Sequence, residues 1–300
     1  MIASDRTRPE RGHKSFDYET QTPCSVAYYV ISCFPQFNSK FALYVGPDCV
    51  DWFLDRMLEM QKEAITYYFD EKRLVLTPLN IQAFHRTKSC WLCDKLFDPA
   101  RPDDKVRDHD HITGEYRGAA HKRCNIRTRR TCKLPIFFHN LRGYDGHFIT
   151  RALSRYPGLD IKVIGQGMEK YLTLSIGKYI VFKDSYQFLG SSLSTLADNL
   201  AKCGLDKFEH LRRQFPDESD ENFKLLVRKG VYPYEYMHSV ERFNDSELPP
   251  KEAFFSKLNN TAVTDEDYAH AQNVWRTFNL KNMRDYHDLY LKSKSDYLIF

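Results

Sequence analysis

The sequence predicts an α/β protein carrying an inserted metal-binding finger and ending in a mostly helical extension. Three observations lead there. Strand-like runs alternate with helix-period runs up to residue 204, a Cys-x2-Cys pair is followed by a His-x2-Cys pair, and beyond residue 205 apolar residues recur at helical spacing between polar breakers. The 300 residues suffice for one large domain or two ordinary ones. A 42% hydrophobic and 14% aromatic composition excludes wholesale disorder. No apolar run is long enough to cross a bilayer, and the polar residues 1–15 hold no signal-peptide core. An intracellular protein, not secreted and with no membrane partner, is therefore expected.

Residues 25–34 are rich in β-branched and aromatic side chains and read as a strand, with 41–45 as its partner, stopped by Gly46-Pro47. Residues 51–64 place Phe53, Met57, Met60 and Ala64 on one helical face. Strand plus loop is expected over 65–88. Residues 134–138 form a short apolar strand, Gly143 and Gly146 bracket a turn, and 148–156 read as a helix packing through Phe148, Ile149 and Leu153. The runs 171–176 and 179–182, joined by Gly177-Lys178, have the form of a two-residue hairpin. Ser191 or Ser192 caps a helix bearing Leu193, Leu196, Ala197 and Leu200, closed by Gly204. In the extension, residues 216–222 and 244–252 are polar breakers. Thr264 opens a helix with Tyr268, Ala271, Trp275 and Phe278 on one face. Tyr232, Tyr234, Tyr236 and Trp275 are read as packing groups rather than base-stacking platforms.

The finger rests on Cys90-Trp-Leu-Cys93 and, after 27 intervening residues, His121-Lys-Arg-Cys124. Two pairs with two intervening residues each suit tetrahedral zinc, because each turn aims both ligands inward. The net charge of +4 hides a local imbalance. Seven cations (Arg117, Lys122, Arg123, Arg127, Arg129, Arg130 and Lys133) lie between 117 and 133 with no acid among them. A phosphate-binding face, hence DNA as partner, is the expectation. Residues 134–138 deliver Asn140, and Asn-x3-Tyr-Asp puts Asp145 at the start of the next helix. That residue type at that place serves either a hard cation or the capping of a turn.

Between the two ligand pairs lie Arg107-Asp-His-Asp-His111 and a Gly-bearing turn, and Asn125 directly follows the last ligand. This resembles the recombination endonuclease VII branch of the His-metal finger nucleases, with His121 standing where that family has Cys. The resemblance implies Mg²⁺ held by Asp108 and Asn125, with His109 as general base and His111 in support. A finger that only grips DNA needs the same zinc and no Mg²⁺, so both readings stand.

The stretch from Leu134 to Ile149, containing Phe-His-Asn-Leu-x-Gly-Tyr-Asp, resembles the second exonuclease motif of family B DNA polymerases in its viral and organellar, protein-primed, polinton-like subgroup. Segments 182–193, 228–236, 248–254 and 285–293 are similar to that subgroup's later blocks. The resemblance implies an RNase H-like 3′–5′ exonuclease fold, a mixed sheet with flanking helices, divided by the inserted ββα-metal finger. The implied boundaries are 1–88 and 134–204 for the exonuclease-like domain, 89–133 for the finger and 205–300 for the extension. It further implies a two-Mg²⁺ site with Asn140 and Asp145 from the second motif, Asp17 and Glu19 as first-motif candidates, and Tyr290 from the third. It implies a terminal priming protein as a further partner, and the nucleus or a viral replication site as location. Position 294, where the third motif has Asp, is Lys, which repels the cation that a carboxylate would hold. Polymerase palm motifs are absent from these 300 residues, so the chain reads as an N-terminal polymerase portion not expected to polymerise alone. A stand-alone finger nuclease and a non-catalytic zinc-dependent DNA-binding protein are the alternatives.

Overall fold

The computed structural model describes residues 2–4, 20–32, 39–70, 72–128, 133–165, 171–257 and 259–295. Strand β1 (Ile2–Ser4) pairs antiparallel with β2 (Thr20–Thr22). A second antiparallel pair joins β3 (Ser25–Val30) to β4 (Lys40–Val45), with Ser25 opposite Val45. The pairing is the one expected, although β3 ends four residues earlier than the apolar run does. Helix α1 (Cys49–Phe69) then buries Phe53, Leu54 and Met57.

The expectation of strand plus loop over 65–88 needs correction. Helix α1 continues to Phe69, and α2 (Pro78–Arg86) follows, its N-cap Thr77 accepting a hydrogen bond from the Asn80 backbone N–H at 3.2 Å. Next comes a small unit of hairpin and helix. Strands β5 (Lys105–His109) and β6 (Tyr116–His121) pair antiparallel, and α3 (Lys122–Arg127) follows directly.

The largest sheet has four strands: β7 (Leu134–Phe138), β8 (Ile161–Gly165), β9 (Tyr171–Ile176) and β10 (Ile180–Asp184), in the order β7-β10-β9-β8. Strands β7 and β10 run parallel, and the other neighbours are antiparallel. The sheet is therefore mixed. Helix α4 (Asp145–Leu153) leaves the turn after β7, and α1 and α4 cover the sheet. Phe53, Leu54 and Met57 meet Ile149, Leu153, Leu174, Ile176, Ile180 and Phe182 in one continuous core. At the rim of that contact Arg155 pairs with Asp51, and the Tyr156 hydroxyl donates to Asp55 at 2.9 Å.

The remaining helices are α5 (Tyr186–Leu189), α6 (Leu193–Lys202), α7 (Glu209–Gln214), α8 (Asp220–Val227), α9 (Asp265–Thr277) and α10 (Met283–Ser295). Ser192, Ser219 and Thr264 cap α6, α8 and α9, each accepting from a backbone N–H three residues on. Helices α6, α7 and α8 share an apolar cluster around Phe208, Leu211 and Phe223. A separate cluster packs Met237, Phe243, Ala271, Met283 and Tyr286 against Cys24 beside β3. His287 of α10 reaches Ser25 Oγ with Nε2 at 2.9 Å and the Tyr232 hydroxyl with Nδ1 at 2.7 Å. The extension is thereby fastened to the N-terminal hairpin. None of the described helices is long and apolar enough to cross a membrane.

Candidate functional site

The finger is built from short-range geometry. Cys90 and Cys93 sit on the turn before β5, while His121 and Cys124 flank the start of α3. The ligand atoms of these four residues lie within 4.8 Å of one another, and Cys93 Sγ is 3.5 Å from His121 Nδ1. No other group of three or more His, Cys, Asp or Glu side chains converges in this way among the described residues. Burial alone pushes the Cys90 thiol up. The His121, Leu92 and Cys93 backbone N–H groups and the Cys93 side chain outweigh it, holding the thiol at about 6. Three sulfurs and one imidazole nitrogen form a donor set able to bind a metal ion.

Around this centre the hairpin is tightly held. Gly118 on β6 faces the Trp91 ring so closely that a Cβ there would stand 2.6 Å from the indole. The Trp91 indole N–H donates to Asp108 Oδ2 at 3.0 Å, and the Arg117 guanidinium donates to Asp108 Oδ1 at 2.8 Å. Asp108 is wholly buried. Both carboxylate oxygens are thus engaged in holding the hairpin, whereas the endonuclease resemblance has Asp108 coordinating Mg²⁺. His109 ends β5 beside His111, their ring centroids 4.3 Å apart, and Asn125 lies half-buried on α3.

The same contact changes the reading of Arg117, whose charge is spent on Asp108 rather than presented to a ligand. Lys122, Arg123, Arg127 and Lys133 are exposed, and Arg129 and Arg130 lie outside the described residues. The Lys133 ammonium donates to the Lys178 carbonyl. Residues 72–75 strap the finger to the core: Lys72 N–H donates to the His111 carbonyl and Val75 N–H to that of Gly114, both at 2.8 Å.

The second place of interest is a cleft of about 1130 Å³ where the sheet meets α6, α9 and α10. Strand β7 delivers Asn140, which adopts φ +65° at the strand end, and the next turn places Asp145 as the first residue of α4. Asp184 at the end of β10 fixes this turn. It is buried and accepts from the backbone N–H groups of Asn140 (2.8 Å), Arg142 (3.2 Å) and Tyr186 (3.0 Å), and from Arg142 Nε (3.3 Å). Sequence reasoning gave Asp184 no role. Its signal was a carboxylate alternating with Phe182 and Ile180 on a strand whose inward face is apolar.

Asn140, Asp145, Tyr290 and Lys294 all line the cleft, although α10 lies more than 140 residues beyond β7. Burial raises the Asp145 carboxyl above the ordinary range, opposed by the positive charge of Lys294. Tyr290 stacks on Tyr232 with centroids 4.8 Å apart, and its hydroxyl meets that of Tyr234 at 2.6 Å. Gly230 makes room for this ring, since a Cβ there would stand 2.7 Å from Tyr290 Cδ2. Tyr232, Tyr236 and Trp275 pack into the core as expected, whereas Tyr234 is 58% exposed at the cleft rim. Asp17 and Glu19 lie outside the described residues.

Around this cleft the oxygens of Asp184 accept from backbone N–H groups, Asp267 is bound by Arg228 at 2.7 Å, Asp198 is exposed on α6, and α10 presents the Lys294 ammonium.

Residues 126–248 match the family model for DNA polymerase type B, organellar and viral, which supports a family B polymerase region in this chain. No curated protein and no solved structure matches the chain.

Proposed function

From the family B match over 126–248, we propose that this chain is the DNA-binding, exonuclease-like portion of a polinton-type, protein-primed DNA polymerase, with an RNase H-like core and an inserted zinc finger. The observation that carries this reading is the convergence of Asn140, Asp145 and Tyr290 on one cleft from elements far apart in sequence. The finger adds a second support. Its Cys3His donor set has the chemistry of a structural zinc site, and Lys122, Arg123 and Arg127 stand exposed on the helix that the last two ligands hold.

Binding, rather than cleavage, is the activity proposed. A carboxylate locked between Trp91 and Arg117 supports a gripping finger over a stand-alone nuclease acting through Asp108, His109 and Asn125. DNA replication inside a cell or at a viral replication site, with DNA and a terminal priming protein as partners, follows from the same reading.

Fluorescence anisotropy with labelled duplex DNA over a salt series tests it. Affinity should fall steeply with salt, and replacing Arg127, Arg129 and Arg130 together should flatten the log–log slope by about 2 to 3, near 0.9 per phosphate contact. Binding indifferent to salt refutes the reading. So does Mg²⁺-dependent cutting that His109→Ala alone abolishes.

A further inference from the structure

Helix α10 carries Tyr290 and Lys294 four residues apart, so both project on one face into the cleft. The Lys294 ammonium donates to the Tyr290 hydroxyl at 3.2 Å and lies 5.3 Å from the centroid of that ring. The Tyr290 hydroxyl is itself tied to Tyr234, and its ring is stacked on Tyr232. A flexible side chain is in this way held in one place, half-buried, where its charge acts on Asp145. Lys229, exposed, contributes a second cation to the same wall, while Arg228 is occupied by Asp267 and Glu266. Exposed Tyr234 offers an aromatic face at the rim.

We propose that the Lys294 ammonium is a built-in counter-charge beside Asp145, so that the cleft receives the phosphodiester backbone of single-stranded DNA through Lys294 and Lys229 with no divalent ion. This rests on the DNA-binding reading above and adds to it the ligand, the residue and the metal independence. A tethered ammonium neutralises a phosphate as a point charge, but it brings no coordinated water and so no nucleophile. The cleft therefore holds a strand without cutting it.

The test uses the full zinc-loaded chain and a labelled oligothymidylate, with anisotropy read at constant ionic strength in magnesium-free buffer and in magnesium chloride. Equal affinity in both buffers and an unshortened strand are expected. Lys294→Ala should weaken binding at least threefold and reduce the salt slope by about 0.7, the value for one phosphate on a single strand. Lys294→Arg should retain affinity, which separates loss of charge from loss of fold. Lys294→Asp should bind at least fivefold more tightly with magnesium than without. Wild-type binding that requires magnesium overturns the proposal, as does Lys294→Ala binding like wild type at every salt concentration. If Lys294→Ala is silent while the triple arginine variant loses duplex binding, this inference alone fails. If the wild type binds neither duplex nor oligothymidylate, the underlying reading fails with it.

Discussion

Lowering the pH from 7 to 5 should destabilise this protein by about 2 kcal/mol through His287 alone. The ring is 4% exposed, wedged between Ser25 and Tyr232. Burial, reinforced by the nearby Arg284 charge, depresses it to about 3. Unfolded, it returns to the ordinary value of about 6.5. Between those two values the unfolded chain binds a proton that the folded chain refuses, so stability is complete above about pH 6.5 and declines as pH falls towards 3. Each pH unit inside the window is worth about 1.4 kcal/mol, and pH 5 lies roughly 1.5 units below the upper edge. Set against a typical total of about 5–15 kcal/mol, that loss is large. His210 and His270 are also depressed by burial and slope the same way, so the wild-type profile alone does not isolate His287. Urea denaturation followed by tryptophan fluorescence, at pH 7, 6 and 5, should therefore be compared with His287→Gln. The variant should start less stable and lose about 2 kcal/mol less over the interval. An unchanged slope in the variant would refute the reasoning.

Four further outcomes are expected. Metal analysis should find about one equivalent of zinc, lost in Cys90→Ser, and the finger should lose its protection from proteolysis at the same time. Arg117→Ala strands the buried Asp108 with a single donor and should cost about 3 kcal/mol or more in chemical denaturation, whereas Arg123→Ala, exposed, should cost under about 0.5. Phe182→Ala empties a site that is 2% exposed at the sheet centre and should cost about 3–5 kcal/mol. Gly230→Ala drives a methyl into the Tyr290 ring and should cost about 1–3 kcal/mol and weaken oligothymidylate binding, read by calorimetry and anisotropy.

Where local chemistry decides structure, the sequence was readable. The β3–β4 pairing, the β9–β10 hairpin (its loop, 177–179, one residue longer than the two expected), the Ser192 and Thr264 caps and the helical start at Asp145 all follow from side chains within a few residues of each element. Helix α2 was missed because it buries nothing, Leu79 being 75% and Ile81 40% exposed, so no apolar period marks it. Thr77-Pro78, a cap followed by proline at the first helical position, was the available signal. Strand β8 carries Ile161, Val163 and Ile164 at the sheet edge, all at least 36% exposed, and its short run lacks the alternation of a half-buried strand. In the site, residue identity located the four Cys and His side chains that converge, but not the occupation of Asp108 by Arg117. That pairing depends on the hairpin register, which sets Asp108 opposite Gly118, next to Arg117.

The seating of Cys24 against Met283 and Tyr286 has a consequence for how the chain matures. At about 5–20 residues per second, a ribosome needs roughly 13–50 s to pass from Cys24 to Met283. Throughout that interval the apolar surface beside β3 lacks its lid, while the sheet core, complete by residue 182, is free to consolidate. Newly made chains should thus pass through a stage in which one half is folded and the other is a ready target for chaperones.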